Sequence, residues 1–145
     1  MAFKTLVTNP SSLVRQVADF LQGMTGQRGD FTLAMLVPSE TGLSDKWNLV
    51  LSAPWIDREG LGATIPAITS ALLKHLSRVN AHKLERVSVL PTADRLVNTM
   101  SGMRIPLGQV YLVQYAPHGG DAIVLLAEPP GASRSYFSQP VHTRS

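Results

Sequence analysis

The amino-acid sequence predicts an α/β domain built on a five-stranded mixed sheet, with an α+β fold as the alternative. Residues 47–90 carry this prediction, because they show a strand, a long amphipathic helix and a second strand in succession. Two strands joined by a helix of this length lie parallel in one sheet, with a right-handed crossover. The length of 145 residues and the apolar fraction of 44% indicate a single domain with a real core.

The N-terminal part of the chain predicts one helix followed by a strand. Asn9 and Pro10 are typical of a helix start, and apolar residues then recur at helical spacing as far as Met24. The apolar run at 31–37 predicts a strand, which we expect at an edge of the sheet, where it could pair with a partner. Residues 3–7 have the composition of a short strand but are not counted in the sheet.

The central part predicts the strand and the long helix of the crossover. Alternate residues of 47–55 are apolar, with a tryptophan at each end, so this strand turns one face to the core. The buried stripe of the helix spans 61–79. Pro66 falls inside it and removes one backbone hydrogen bond, which leaves two possible starts. Either Asp57 caps a helix that is kinked at the proline, or the regular helix begins near Thr64.

The C-terminal part predicts three more strands and a short helix. Residues 84–90 form the third strand, which ends at Pro91, and a short amphipathic helix follows. Residues 109–115 and 122–127 are apolar runs on either side of the turn sequence APHGGD, which is typical of a β-hairpin.

Together these elements have the order α-β-β-α-β-α-β-β, with about three helices. We expect parallel pairs in the middle of the sheet and hairpins at both sides, and the strand order stays open. Residues 1–128 are expected to form the globular domain. Residues 129–145 have no hydrophobic period and are rich in Pro, Ser and Gly, which predicts a mobile tail or a segment that packs on a partner.

Composition excludes several classes of site. The chain has no cysteine, and therefore no disulfide, thiolate nucleophile or cysteine-bound zinc. The N-terminus lacks the apolar core of a signal peptide, and no apolar run reaches the ~18 residues of a membrane span, so we expect a cytoplasmic protein. Arg134 and Arg144 lie in the tail, which leaves eleven Lys and Arg against ten Asp and Glu in residues 1–128. This near-neutral balance does not favour nucleic acid as a partner.

One candidate site depends on the predicted topology. If the strands at 47–55, 84–90 and 109–115 are parallel, their C-terminal ends meet where open α/β sheets bind ligands. Asp57, Asp94 and His118 could then hold a divalent metal, with His118 as a ligand or the general base and Arg95 binding an anion such as phosphate. His118 and Asp94 are the candidate catalytic residues. The structural alternative makes Asp57 a helix cap, Asp94 a residue that stabilises the helix dipole in the first turn, and His118 an ordinary loop residue.

A second candidate is a basic cluster near the end of the central helix. Its members are His75 and His82 together with Lys74, Arg78, Lys83 and Arg86. The cluster could contact an anion or a nucleic acid. Alternatively, it is a solvated helix C-terminus, where the helix dipole favours cations. A helix end at Asn80 would scatter the cluster.

No sequence motif identifies a reaction. The GLG sequence at 60–62 lacks the third glycine of a dinucleotide fingerprint, and neither a G-x-S-x-G elbow nor an H-E-x-x-H pair is present. We therefore expect a small cytoplasmic protein-interaction module without catalytic activity, whose partner is a protein and could be a second copy in a homodimer. The alternative is a metal-dependent hydrolase acting on a phosphate-containing substrate. No particular cofactor is predicted, and neither nucleic acid nor a membrane is expected as a partner.

Overall fold

The computed structural model of the chain describes residues 4–39, 45–115 and 120–129. In these ranges the fold is mixed α/β, as predicted, with helices on both faces of one sheet. The strands are β1 (Lys4–Leu6), β2 (Leu33–Pro38), β3 (Trp47–Ser52), β4 (Leu84–Val89), β5 (Tyr111–Tyr115) and β6 (Gly120–Ala127). The helices are α1 (Ser12–Arg28), α2 (Pro54–Glu59), α3 (Leu61–His75), α4 (Arg78–Lys83) and α5 (Arg95–Ser101).

The six described strands lie in the order β1-β5-β6-β2-β3-β4. β3 and β4 are parallel, and every other neighbouring pair is antiparallel. The connection from β3 to β4 runs through α2, α3 and α4. The parallel pair predicted from the strand-helix-strand pattern is therefore confirmed.

The predicted count of five strands is wrong, because β1 adds a sixth. Lys4, Thr5 and Leu6 pair with Val113, Leu112 and Tyr111 of β5. Residues 3–7 have the composition of a strand, but all three residues of β1 are exposed, so no buried face indicated that the segment belongs to the sheet. Its place in the sheet is given by its pairing with a strand far along the chain.

The prediction that residues 109–115 run parallel to β3 and β4 is also wrong. β5 is antiparallel to β6, β6 to β2, and β2 to β3, so β5 points opposite to β3 and β4. The physical reason is that the β5–β6 hairpin adds beside β2, on the side away from β3. The turn of the hairpin, at 116–119, lies outside the described residues.

Residues 31–37 do not form an edge strand. β2 lies between β6 and β3 and pairs with both. Five of its six residues are buried, because α1 and α3 cover one face of the sheet and α5 covers the other. Its apolar run reflects burial on both faces of the sheet. The same apolar run would be compatible with an edge strand that pairs with a partner, so the sequence pattern does not distinguish the two positions.

Two hydrophobic clusters lie on opposite faces of the sheet. The larger one joins Leu49 and Leu51 of β3 to Val17 of α1 and to Ile68 and Leu72 of α3. The smaller one lies under α5 and contains the following side chains: Leu33, Met35, Val97, Met100, Val113 and Val124. No helix in the described ranges is long and apolar enough to cross a membrane.

The predicted count of about three helices is wrong, because the central helix is divided. Gly60, at a φ of 100°, ends α2 and begins α3, a backbone conformation that favours glycine. Asp57 therefore lies inside a separate short helix and does not cap α3. Pro66 lies within α3, which continues past it to His75.

A second break separates α3 from α4. Leu76 is extended, and the Ser77 hydroxyl accepts a hydrogen bond from the Asn80 backbone N–H at 3.3 Å, which starts α4. The Ser77 N–H itself donates to the side chain of Gln16 on α1. Because the chain changes direction here, Val79 leaves the predicted buried stripe and is 66% exposed.

Candidate functional site

The two aspartates of the predicted metal site lie at the C-terminal end of the parallel strands. Asp57 is on α2, directly after β3, and its carboxylate accepts hydrogen bonds from the backbone N–H of Thr92 (3.2 and 3.4 Å) and from the Thr92 hydroxyl. Thr92 follows β4. These hydrogen bonds connect the segment that follows β3 to the segment that follows β4. The role that they indicate for Asp57 is structural.

Asp94 is the N-cap of α5. Its carboxylate accepts the backbone N–H of Leu96 at 2.8 Å, which satisfies one of the free donors at the helix start. Arg95 is the exposed first residue of the same helix. The structural alternative expected Asp94 to stabilise the helix dipole within the first turn, and it is instead the N-cap. The anion-binding role of Arg95 stays a prediction.

His118 lies outside the described residues. The strand that precedes it, β5, runs opposite to β3 and β4, so its C-terminal end is at the other end of the sheet from Asp57 and Asp94. Within the described ranges, no three His, Asp or Glu side chains lie close enough together to hold a metal ion. The three-residue metal site stays a prediction.

The open edge of the sheet is the second candidate. β4 is the last strand in the order and pairs only with β3 among the described strands. The Leu90 N–H donates to the Leu51 carbonyl at 2.9 Å, so the backbone groups of Leu90 point towards β3. Along a strand, the backbone groups of successive residues point to opposite sides. The N–H and C=O groups of Val87 and Val89 therefore point away from β3.

Basic side chains are concentrated in the elements that lead into the N-terminal end of this edge. We call this surface the basic corner; it contains the exposed residues Lys74, Arg78, His82 and Arg86 and the half-buried residues Lys46 and Lys83. Between residues 74 and 86, four Lys and Arg stand against a single acidic residue, Glu85. Glu85 accepts a hydrogen bond from the Ser39 hydroxyl.

The basic corner is held in place by two polar contacts of α4. The Asn80 side chain is buried and donates to the hydroxyl of Ser12 on α1 at 3.0 Å. Lys46 donates to the carbonyl oxygen of His82, which links the segment before β3 to α4. With Asn80 turned inwards, Arg78, Val79 and His82 occupy the outer side of the helix.

The predicted cluster is only partly brought together. His75 belongs to α3 and packs its ring on Phe20 of α1, with ring centroids 5.8 Å apart, whereas His82 lies on α4. The helix break at Ser77, rather than a helix end at Asn80, separates the two histidines. The exposed Val79 and the open edge of β4 were missed from the sequence, because both depend on this break and on the strand order.

Known proteins do not add to this geometry. The chain matches no protein-family model, no curated protein sequence and no solved structure. A functional assignment therefore rests on the residues and contacts described above.

Proposed function

We propose that the protein is a protein-interaction module that binds an extended segment of a partner protein along β4. The observation that carries the proposal is the outward direction of the Val87 and Val89 backbone groups on the last strand of the sheet. Such groups are a template for one more strand, and strand addition is a common way in which domains bind peptides. β4 offers six residues for this pairing.

The opposite edge is a weaker candidate. β1 has only three residues, and its Lys4 side chain reaches across the neighbouring strand. The Lys4 ammonium donates to the Met103 carbonyl at 3.1 Å and lies 4.8 Å from the centre of the Tyr111 ring. Short edge strands that carry lysine are typical of edges protected against pairing.

Proline at position 87 tests strand addition directly. Because the Val87 N–H points away from β3, Val87→Pro removes a donor to an added strand and keeps the hydrogen bonds between β3 and β4. The matched control is Val87→Ala, which also removes core volume but keeps the N–H. Both variants are expected to lose about 1–3 kcal/mol of stability from the buried cluster.

The probe is a fluorescent peptide of about eight residues that alternates valine with glutamate, beside a second peptide that alternates valine with lysine. Binding is measured by fluorescence anisotropy. Under the proposal, Val87→Pro weakens the binding of at least one peptide by about tenfold or more relative to Val87→Ala. Equal binding by the two folded variants, or no binding of either peptide up to about 1 mM, would contradict strand addition.

A second function, the metal-dependent hydrolase, has one supporting observation. Asp57 and Asp94 follow the two parallel strands at the same end of the sheet, where ligands bind in open α/β sheets. This function requires His118 or another ligand to complete the metal site. Its test is the Asp94 series described in the Discussion.

A further inference from the structure

We infer that the segment that binds along β4 is acidic, with carboxylates that contact the basic corner. This inference rests on the proposed function, because it gives the chemistry of the strand that β4 would receive. An open edge next to basic side chains could bind a peptide segment of another protein, a second copy of this chain or a nucleic acid. The inference chooses the first of these three.

Arg86 provides the first step of the argument. It lies on β4 itself, opposite Asn48 of β3, and its side chain is exposed. A strand added on the outer side of β4 places a side chain about 5 Å from it, measured between Cβ atoms on the same face. A carboxylate at that position forms a charge-assisted pair with the guanidinium.

The charges beyond Arg86 extend the preference along the strand. Lys83 ends α4 directly before β4, and Arg78 and His82 lie on the outer side of that helix. A segment that runs along β4 towards α4 therefore meets successive positive charges. Because side chains alternate between faces, a carboxylate at every second position of the segment would lie on the face of Arg86, and Lys83 and α4 lie beyond the end of the strand.

The other face of the added strand has an apolar neighbour. Val87 and Val89 face the larger hydrophobic cluster at the rim of the sheet, next to the open edge. The exposed Val79 offers further apolar area within the basic corner. A segment that alternates apolar and acidic residues therefore fits both faces of the edge.

Charge argues against a second copy as the occupant. When two β4 strands pair antiparallel about a two-fold axis, each strand keeps its orientation relative to the sheet, so the two Arg86 side chains lie on the same face of the joined sheet. Like charges at facing positions destabilise a strand pair, and the two basic corners add to the repulsion. An acidic segment receives attraction from the same residues.

The experiment compares the valine–glutamate and valine–lysine peptides on three proteins: wild type, Arg86→Glu and Arg58→Glu. Arg58→Glu is the matched control, since Arg58 is an exposed arginine on α2, at the other end of the sheet. We expect wild type to bind the glutamate peptide more tightly than the lysine peptide. The affinity for the glutamate peptide should fall as the salt concentration is raised. Arg86→Glu should weaken this binding by about tenfold, and Arg58→Glu should leave it unchanged.

Other outcomes separate this inference from the proposed function. Equal affinity for the two peptides, with loss of both in Val87→Pro, keeps strand addition and overturns the acidic partner. If the glutamate peptide binds Val87→Pro as tightly as it binds Val87→Ala, both strand addition and the inference are contradicted. A single-stranded oligonucleotide that binds more tightly than the glutamate peptide and loses affinity in Arg86→Glu would assign the basic corner to nucleic acid. A dimer in sedimentation velocity that Val87→Pro dissociates would assign β4 to a second copy.

Discussion

At the scale of single residues, Trp55 shows how a few contacts fix the start of α2 against α1. Its ring is 3% exposed, packs edge-on to Phe31 at a centroid distance of 5.6 Å, and lies under the Arg28 guanidinium at 4.7 Å. Arg28 also forms an ion pair with Glu59 at the end of α2. The aromatic and cation–π contacts favour one orientation of this side chain.

Gly29 makes room for the Trp55 ring, and its replacement gives a residue-scale prediction. Its φ is 129°, and an added Cβ would lie 3.1 Å from Trp55 Cδ1. Gly29→Ala should therefore lower the free energy of unfolding by about 1–3 kcal/mol, from backbone strain and displacement of the ring. The measurement is urea unfolding monitored by tryptophan fluorescence.

Gly26 provides the matched control. It lies within α1, and an added Cβ there meets nothing within 4 Å. Gly26→Ala should raise the free energy of unfolding by about 0.5–1 kcal/mol, because alanine loses less backbone freedom in a helix. A Gly29→Ala variant as stable as wild type would show that the contact with the ring relaxes without cost.

Asp94 separates a capping role from metal binding. Its hydrogen bond to the Leu96 N–H predicts that Asp94→Ala lowers the free energy of unfolding by about 1 kcal/mol, whereas Asp94→Asn, still a good N-cap, changes it little. Thermal unfolding with divalent metals and with EDTA provides the second readout. If Asp94 only caps α5, metals should not shift the melting temperature of any of the three proteins. A metal-dependent shift in wild type that Asp94→Asn abolishes would support the hydrolase.

At the scale of elements, the three helices between β3 and β4 show what local sequence does and does not encode. The apolar period over α3 is visible in the sequence, since Ile68 and Leu72 lie four residues apart and both are buried. The end of the helix was missed: Leu76 is extended and Ser77 caps the next helix. The break is also in contact with α1, because the Ser77 N–H donates to Gln16 and the Asn80 side chain donates to Ser12.

Pro66 gives a prediction at this scale. It lies inside α3, where the proline ring removes a backbone hydrogen bond and crowds the preceding turn, and its side chain is exposed. Pro66→Ala should raise the free energy of unfolding by about 1–3 kcal/mol, since alanine is the better helix former and no buried contact is lost. Urea unfolding measures the change.

Pro54 is the matched control for this prediction. It is the first residue of α2, where the missing N–H has no helical acceptor in any case. Pro54→Ala should therefore bring no gain in stability. A loss of stability in Pro66→Ala would mean that the local backbone geometry set by the proline is needed for α3 to pack on the sheet.

At the scale of the whole molecule, the strand directions divide the polar surface into two regions. Asp57 and Asp94 lie at the C-terminal ends of β3 and β4, while the basic corner lies at their N-terminal ends. α3 spans the distance between the two regions along the larger hydrophobic cluster. Substitutions at Arg86 and at Asp94 share no contact in the described structure, so their effects on stability should add.

The sequence alone determined the features that depend on local periodicity. The apolar patterns of residues 47–90 predicted the β3–helix–β4 crossover and its parallel strands, and both are present. The class of mixed α/β fold follows from that unit. Residues near the strand ends were also recognised as polar, but Asp94 caps α5, where the structural alternative expected it to stabilise the helix dipole.

The tertiary structure alone decided the strand order, the direction of β5 and the identity of the open edge. A strand such as β2 has the same apolar run in the centre of a sheet as at an edge, and only its pairing with β6 and β3 distinguishes the two. The composition of residues 3–7 indicated a short strand, but only the pairing of the exposed β1 with β5 places it in the sheet. Strand pairing uses backbone hydrogen bonds that every residue except proline can make. Side-chain patterns therefore show which segments are strands, but they say less about which strands are neighbours.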